Sequence, residues 1–162
     1  MSVVAPTQYL ATDRDALAGI VDSIALATPP LLLLVGAEHQ ITAALASLHA
    51  ATGAPLLALS QELGTRLLEQ TARDRQRLAV RALRDLLAPY RGRLTLLDRT
   101  ALLFLPELAL NPLQLLLDAA RTHGPLVAAW AGAWKDETLT YAFPGHVEYR
   151  SYPQPAALIV LV

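Results

Sequence analysis

The chain has 162 residues, 54% of them hydrophobic and 17% charged, with a formal net charge of −1 and no cysteine. This length suits a single domain over 1–162 that can bury a core without staples. The missing cysteines exclude disulfide frameworks and thiolate metal sites, and the near-neutral balance argues against nucleic-acid binding by bulk electrostatics.

The apolar share exceeds the roughly 45–50% of an average soluble domain. No apolar run reaches the roughly 20 residues of a membrane span, so no membrane partner is expected. The surplus therefore points to a very full core or to a surface awaiting a partner or a second copy of the chain. The opening segment MSVVAPTQYLATDRD has no basic n-region and no long apolar stretch. No signal peptide is expected, and a cytoplasmic location is.

In chain order, DRDALAGIVDSIALAT (13–28) predicts an amphipathic helix, with Asp13 near its start and Pro29-Pro30 as its stop. Leu31 to Val35 is a continuous apolar strand ended by Gly36. Ile41, Ala44, Leu45 and Leu48 then recur at helical spacing until Gly53 closes the helix. Pro55 to Leu59 predicts a short strand, followed by helices over 61–70 and 72–88. The second of these stacks Ala79, Val80, Leu83, Leu86 and Leu87 on one face, with Arg77, Arg81 and Arg84 on another. Leu94 to Leu97 is a strand ending in Asp98. Asn111 and Pro112 open a helix that Gly124 ends. Pro125 to Trp130 is another buried strand. Residues 136–152 predict an irregular hairpin turning at Pro144-Gly145, and ALIVLV (157–162) is the last strand. Fully apolar strands alternating with helices predict an α/β fold whose parallel sheet is covered on both faces.

Ligands of such sheets sit outside the carboxyl ends of the strands. The strand–Gly36–helix junction is where a phosphate loop, GxxxxGK(S/T), would lie. There, backbone amides and a helix N-terminus face the anion, a lysine reaches the β/γ-phosphates and a hydroxyl holds Mg²⁺. Counting from Gly36, Ile41 takes the place of the second glycine, Thr42 that of the lysine and Ala43 that of the hydroxyl. Glu38 adds a repelling carboxylate. Thr42 is one residue early, and one residue on a helix turns a side chain by about 100°, so its hydroxyl is not expected to substitute. LTLLDRT has the form of a Walker B strand with Asp98 as the Mg²⁺ carboxylate, or Asp98 caps the following turn. The second carboxylate that would activate water is replaced by Arg99. Gly36, His39, Thr42 and Asp98 thus mark a vestigial nucleotide site. No catalytic residue, cofactor or enzymatic activity is expected.

The segment LTYAFPGHVEYRSY (139–152) resembles the LTYAEPGHPEYRRY-like segment of the small P-loop protein of BREX phage-defence systems (BrxF-like). LLLLVG, LTLLDRTALLF, NPLQLLLDAAR and VAAWAG support the resemblance in order, over roughly residues 30 to 160. The chain departs from that family in its lost GxxxxGK(S/T), in Ala101 where the family is acidic, and in Phe143 before Pro144-Gly145. The resemblance implies a three-layer P-loop NTPase-like domain with a five-stranded, mainly parallel sheet and a C-terminal β-hairpin. In it the 125–130 strand lies between the 31–36 and Asp98 strands, and 157–162 flanks the other side of 31–36. It also implies a place among BREX subunits, a large P-loop ATPase among them. The departures turn that implication toward a non-catalytic subunit or adaptor. A weak ATPase completed by a partner subunit is the alternative.

Of thirteen basic residues, twelve are arginine, and seven of those lie between Arg73 and Arg93. Arg73, Arg77, Arg81 and Arg84 are candidates for docking a partner's carboxylates or, as a further alternative, DNA phosphates. Asp74 and Asp85, interleaved among them, fit equally with a plain solvated face. His39, His49, His123 and His146 lack metal-ligand spacing. Trp130 and Trp134 are core or interface anchors. His146 and Tyr149, beside the Pro144-Gly145 turn, complete the candidate interaction residues. His146 and Glu148 form either an acid/base pair or a hairpin hydrogen bond, with the hydrogen bond favoured.

Overall fold

A computed structural model describes residues 14–67 and 70–162. Asp13 and the segment read for a signal peptide lie outside them. The elements in chain order are α1 (Arg14–Leu26), β1 (Leu31–Val35), α2 (Glu38–Thr52), β2 (Leu56–Ala58), α3 (Leu59–Leu67), α4 (Ala72–Leu87), β3 (Thr95–Asp98), α5 (Pro112–His123), β4 (Leu126–Trp130), β5 (Gly132–Lys135), β6 (Thr138–Tyr141), β7 (Arg150–Pro153) and β8 (Leu158–Leu161).

β2, β3, β4, β1 and β8 form one parallel sheet in that spatial order. The expected strand neighbours are therefore present, with β4 between β1 and β3 and β8 on the far side of β1. The continuous apolar character of β1 has a direct cause. Its side chains alternate between faces, and both faces are covered. Leu31, Leu33 and Val35 enter a core shared with α3, α4 and α5. Leu32 and Leu34 enter a second core shared with α1 and α2. The result is three layers, helix–sheet–helix.

The helix boundaries follow local chemistry. Gly53 closes α2 at φ 69°, in the left-handed region that glycine adopts without strain. The Asn111 side chain accepts a hydrogen bond from the Gln114 amide at 3.2 Å, with Pro112 at the first helical position of α5. Val80 departs from its expected place in the core. It is 40% exposed, because it lies at the edge of the apolar face of α4, where α5 does not cover it.

The expected C-terminal hairpin is present as β6-β7, and β5 adds an unforeseen third strand, giving the antiparallel sheet β5-β6-β7. Its tight turn is Asp136-Glu137, both residues at positive φ (50° and 56°). Pro144-Gly145 sits, as expected, in the connection over 142–149 that joins β6 to β7. The added β5–β6 turn was missed for a local reason: Asp-Glu lacks the glycine that normally announces such a turn.

Aromatic packing joins the two sheets. Trp130, at the end of β4, is fully buried, and its indole N–H donates to the Thr140 carbonyl at 2.9 Å. Phe104 stacks on Tyr141 with ring centroids 3.5 Å apart, and Trp130 meets Phe104 edge-on at 5.0 Å. Gly132 permits this approach. A Cβ there would lie 2.0 Å from the Thr140 carbonyl oxygen and 2.9 Å from the Trp130 Nε1.

Candidate functional site

The carboxyl ends of β1, β3 and β4 meet at one small crevice lined by Glu38, Ile41, Asp98, Thr100, Ala129 and Tyr141, among others. Two residues, Gly36 and Ala37, separate β1 from α2. A phosphate loop needs a longer arc to wrap its amides around an anion. Here the amides of Gln40 and Ile41 both donate to the Ala37 carbonyl at 3.0 Å, so the helix begins at once.

This early start sets the direction of Thr42. With the loop shortened, its position on α2 faces β3, and its hydroxyl lies 3.1 Å and 3.3 Å from the two carboxylate oxygens of Asp98. Counting residues along the chain did not foresee this contact, because the one-residue offset assumed a full-length loop ahead of the helix. Asp98 is buried and also accepts the Arg99 amide at 2.8 Å, so it caps the next turn as well.

Arg99 is a residue that sequence reasoning recorded only as a missing carboxylate. Its φ is 53°, in the left-handed region that costs a side-chain-bearing residue roughly 1–2 kcal/mol. The conformation turns its amide to Asp98 and its carbonyl to Ser60, which donates through both its backbone N–H (2.8 Å) and its hydroxyl. The same Ser60 oxygen accepts the Leu102 amide at 3.1 Å. Ser60 therefore ties β2 to the segment after β3, and its place just beyond a strand's carboxyl end was the available signal. The Arg99 guanidinium lies 3.7 Å from Glu38 across the crevice mouth, an exposed contact screened by water.

Glu38 occupies the first turn of α2. The positive end of the helix dipole, where a phosphate would bind, already has a carboxylate of the protein beside it. Tyr141 forms another wall. Burial pushes its hydroxyl above the ordinary 10.0, with Glu148 and Glu38 acting in the same direction. The enclosed volume is about 60 Å³, whereas small-molecule sites run to about 300–1,000 Å³. At Gly36, outside the crevice lining, a Cβ would meet the Val162 carbonyl oxygen at 2.6 Å, because the residue after β8 runs beside it.

Of the vestigial set, Gly36, Thr42 and Asp98 come together around the β1 end. His39 is exposed on α2 and joins no contact with them. Among the described residues no cluster of three or more histidines and carboxylates is placed to hold a metal ion.

The interaction candidates divide. Arg73, Arg77, Arg81 and Arg84 are all exposed on α4, across the sheet from α2 and so away from the crevice. Trp130 is core, and Trp134 is half-buried against that core. His146 is exposed, and its Nδ1 accepts the Glu148 amide at 3.1 Å; this is the hairpin-type hydrogen bond. Tyr149 is half-buried and donates its backbone N–H to the His146 carbonyl at 3.0 Å. Phe143 packs edge-on to His146 at 5.2 Å and is 65% exposed, with Val147 exposed beside it. No described helix is long and apolar enough to cross a membrane. No protein-family model, curated protein or solved structure matches this chain.

Proposed function

We propose that the chain is a non-catalytic domain of P-loop-like architecture that serves as a subunit or adaptor of a BREX-type anti-phage defence complex. The observation that carries this reading is the connection from β1 to α2, which at two residues, Gly36 and Ala37, is too short to wrap its amides around a phosphate. Phosphoryl transfer rests on positioning and on neutralising charge. The crevice is small, about 60 Å³, Thr42 stands where the phosphate-binding lysine would, and Glu38 adds a carboxylate at the helix start. The strand order β2-β3-β4-β1-β8 supports the architecture. The family resemblance of residues 139–152 and the segments before them supports the defence role.

Two experiments test the two halves of the reading. Calorimetric titration of the isolated chain with Mg-ATP is expected to give no heat of binding. Tight, Mg²⁺-dependent binding would replace the adaptor with a weak ATPase completed by a partner subunit. A pulldown from the native host, read beside the neighbouring genes, is expected to recover other BREX subunits, a large ATPase among them. If no methyltransferase or large ATPase gene lies nearby, the defence assignment fails.

A second reading, a DNA-binding subunit, is favoured by one observation: Arg73, Arg77, Arg81 and Arg84 share an exposed face of α4. It predicts affinity for duplex DNA that falls steeply with salt and is weakened by Arg77→Glu. Absent or salt-independent binding rules it out.

A further inference from the structure

We infer that the groove between α4 and α5 docks an acidic amphipathic helix of a partner protein. This deepens the adaptor reading and rests on it for the existence of a partner. The groove encloses about 620 Å³, and its apolar wall includes Leu83, Leu87, Leu110 and Leu115. Val80 stands at its edge, 40% exposed, on an otherwise buried face of the helix.

Charge complementarity selects the occupant. At about 100° per residue, Arg73, Arg77, Arg81 and Arg84 fall within roughly 80° of one another on α4. Arg84 lines the groove itself, and so does the exposed Arg91 beyond the helix end. None of these five arginines takes part in an ion pair among the described residues. Asp85 stands exposed on α4 beside the stripe, and two other nearby carboxylates are engaged elsewhere. Asp74 accepts the Thr71 hydroxyl at 2.7 Å. Asp118, on the opposite wall, accepts from Arg121 at 2.7 Å and from Gln114 at 2.9 Å.

The stripe from Arg73 to Arg84 spans roughly 16 Å at 1.5 Å per residue, longer than a small ligand seated in the groove would touch. An amphipathic helix laid along the two walls places apolar residues at i, i+3 or i+4, and i+7 in the trench. Its flanking aspartates and glutamates then meet guanidinium groups, which grip carboxylates in bidentate fashion. Nucleic acid fits less well. Single strands want aromatic platforms between the basic residues, and Tyr90, half-buried, is the one aromatic in the stretch. An apolar trench offers phosphates no partner.

The test is a selection from a display library of helical peptides against the full chain, followed by titration of the enriched sequences as synthetic peptides. Enrichment of apolar residues at i, i+3 and i+7 flanked by Asp and Glu is expected. Val80→Glu and Arg84→Glu should each weaken binding about tenfold or more, in the manner of central interface residues. Amide NMR shifts on the unsubstituted chain should map the peptide to α4 and α5, which decides the matter even where a variant is unstable. Recovery of no binder, of basic peptides, or of ligands that shift other elements overturns the proposal, as does displacement of the peptide by duplex DNA. The two readings fail separately. A host pulldown without BREX subunits leaves the groove result standing, while a failed selection leaves complex membership to another surface.

Discussion

The Thr42 hydroxyl reaches the Asp98 carboxylate at 3.1 Å across 56 residues of chain, joining α2 to the end of β3. Asp98 is largely buried, so losing a donor leaves its carboxylate short of a partner. Thr42→Val keeps the shape and removes the donor. It is expected to lower stability by about 1–3 kcal/mol, the range for a hydrogen bond to a charged group, while Thr42→Ser stays near the parent. Urea unfolding midpoints at constant m-value measure the difference. A Thr42→Val chain as stable as the parent would show the bond to be idle.

Excess Mg-ATP is expected to leave the melting temperature of the isolated chain unchanged. A ligand that binds only the folded state stabilises it by RT ln(1 + [L]/Kd), so even weak binding registers once the ligand is well above its Kd. The physical ground is the crevice of about 60 Å³ with Glu38 at the helix start. A rise in melting temperature that requires both Mg²⁺ and nucleotide would contradict it.

Two glycines should respond to alanine in opposite directions. A Cβ at Gly132 would stand 2.0 Å from the Thr140 carbonyl oxygen, against backbone that cannot rotate away. Gly132→Ala must part β5 from β6 or break the Trp130–Thr140 bond, and a loss of about 1–3 kcal/mol is expected, as for overpacking. At Gly64, within α3, a Cβ meets nothing within 4 Å. Gly64→Ala should stabilise by about 0.4–1 kcal/mol by restricting the unfolded chain. Thermal denaturation of both variants checks the pair, and near-UV circular dichroism reports whether the Trp130 environment has changed.

Acid should destabilise the fold through His123. Its Nε2 lies 3.1 Å from the Arg93 carbonyl and 3.0 Å from the Thr95 hydroxyl, and its buried Nδ1 has no hydrogen-bond partner. A ring protonated at Nε2 alone fits this setting, with Nε2 facing the Arg93 carbonyl. Burial lowers the His123 pKa below 6.5, with the Arg93 carbonyl opposing in part. The unfolded chain therefore takes up a proton that the folded chain resists. Stability is fully present above pH 6.5 and falls as the pH drops from there toward the lower folded value. Unfolding midpoints at pH 7.5 and pH 5.5 should differ in the parent, and the difference should shrink in His123→Gln. An unchanged pH slope in that variant would assign the effect to other groups.

The sheet was legible because burial on two faces leaves a direct mark on composition. Leu31 to Val35 is apolar at every position since both cores need it. Gly53 and the Asn111-Pro112 pair announced helix ends through conformations that few other residues adopt. Trp130 was ambiguous between core and interface because an aromatic serves either. The structure settled its place with one hydrogen bond to Thr140.

The sequence by itself determined the alternation of elements, the positions of the strand ends and the absence of a lysine beside Gly36. Those are properties of near neighbours along the chain, governed by backbone sterics, side-chain periodicity and residue identity. Only the tertiary structure decided that Thr42 meets Asp98, that Arg99 bridges to Ser60, and that Val80 lies open beside a row of arginines. Each of these depends on the rotation and register of elements dozens of residues apart. A connection of two residues between β1 and α2 changes which side of the helix faces the sheet, and no local pattern records that turn.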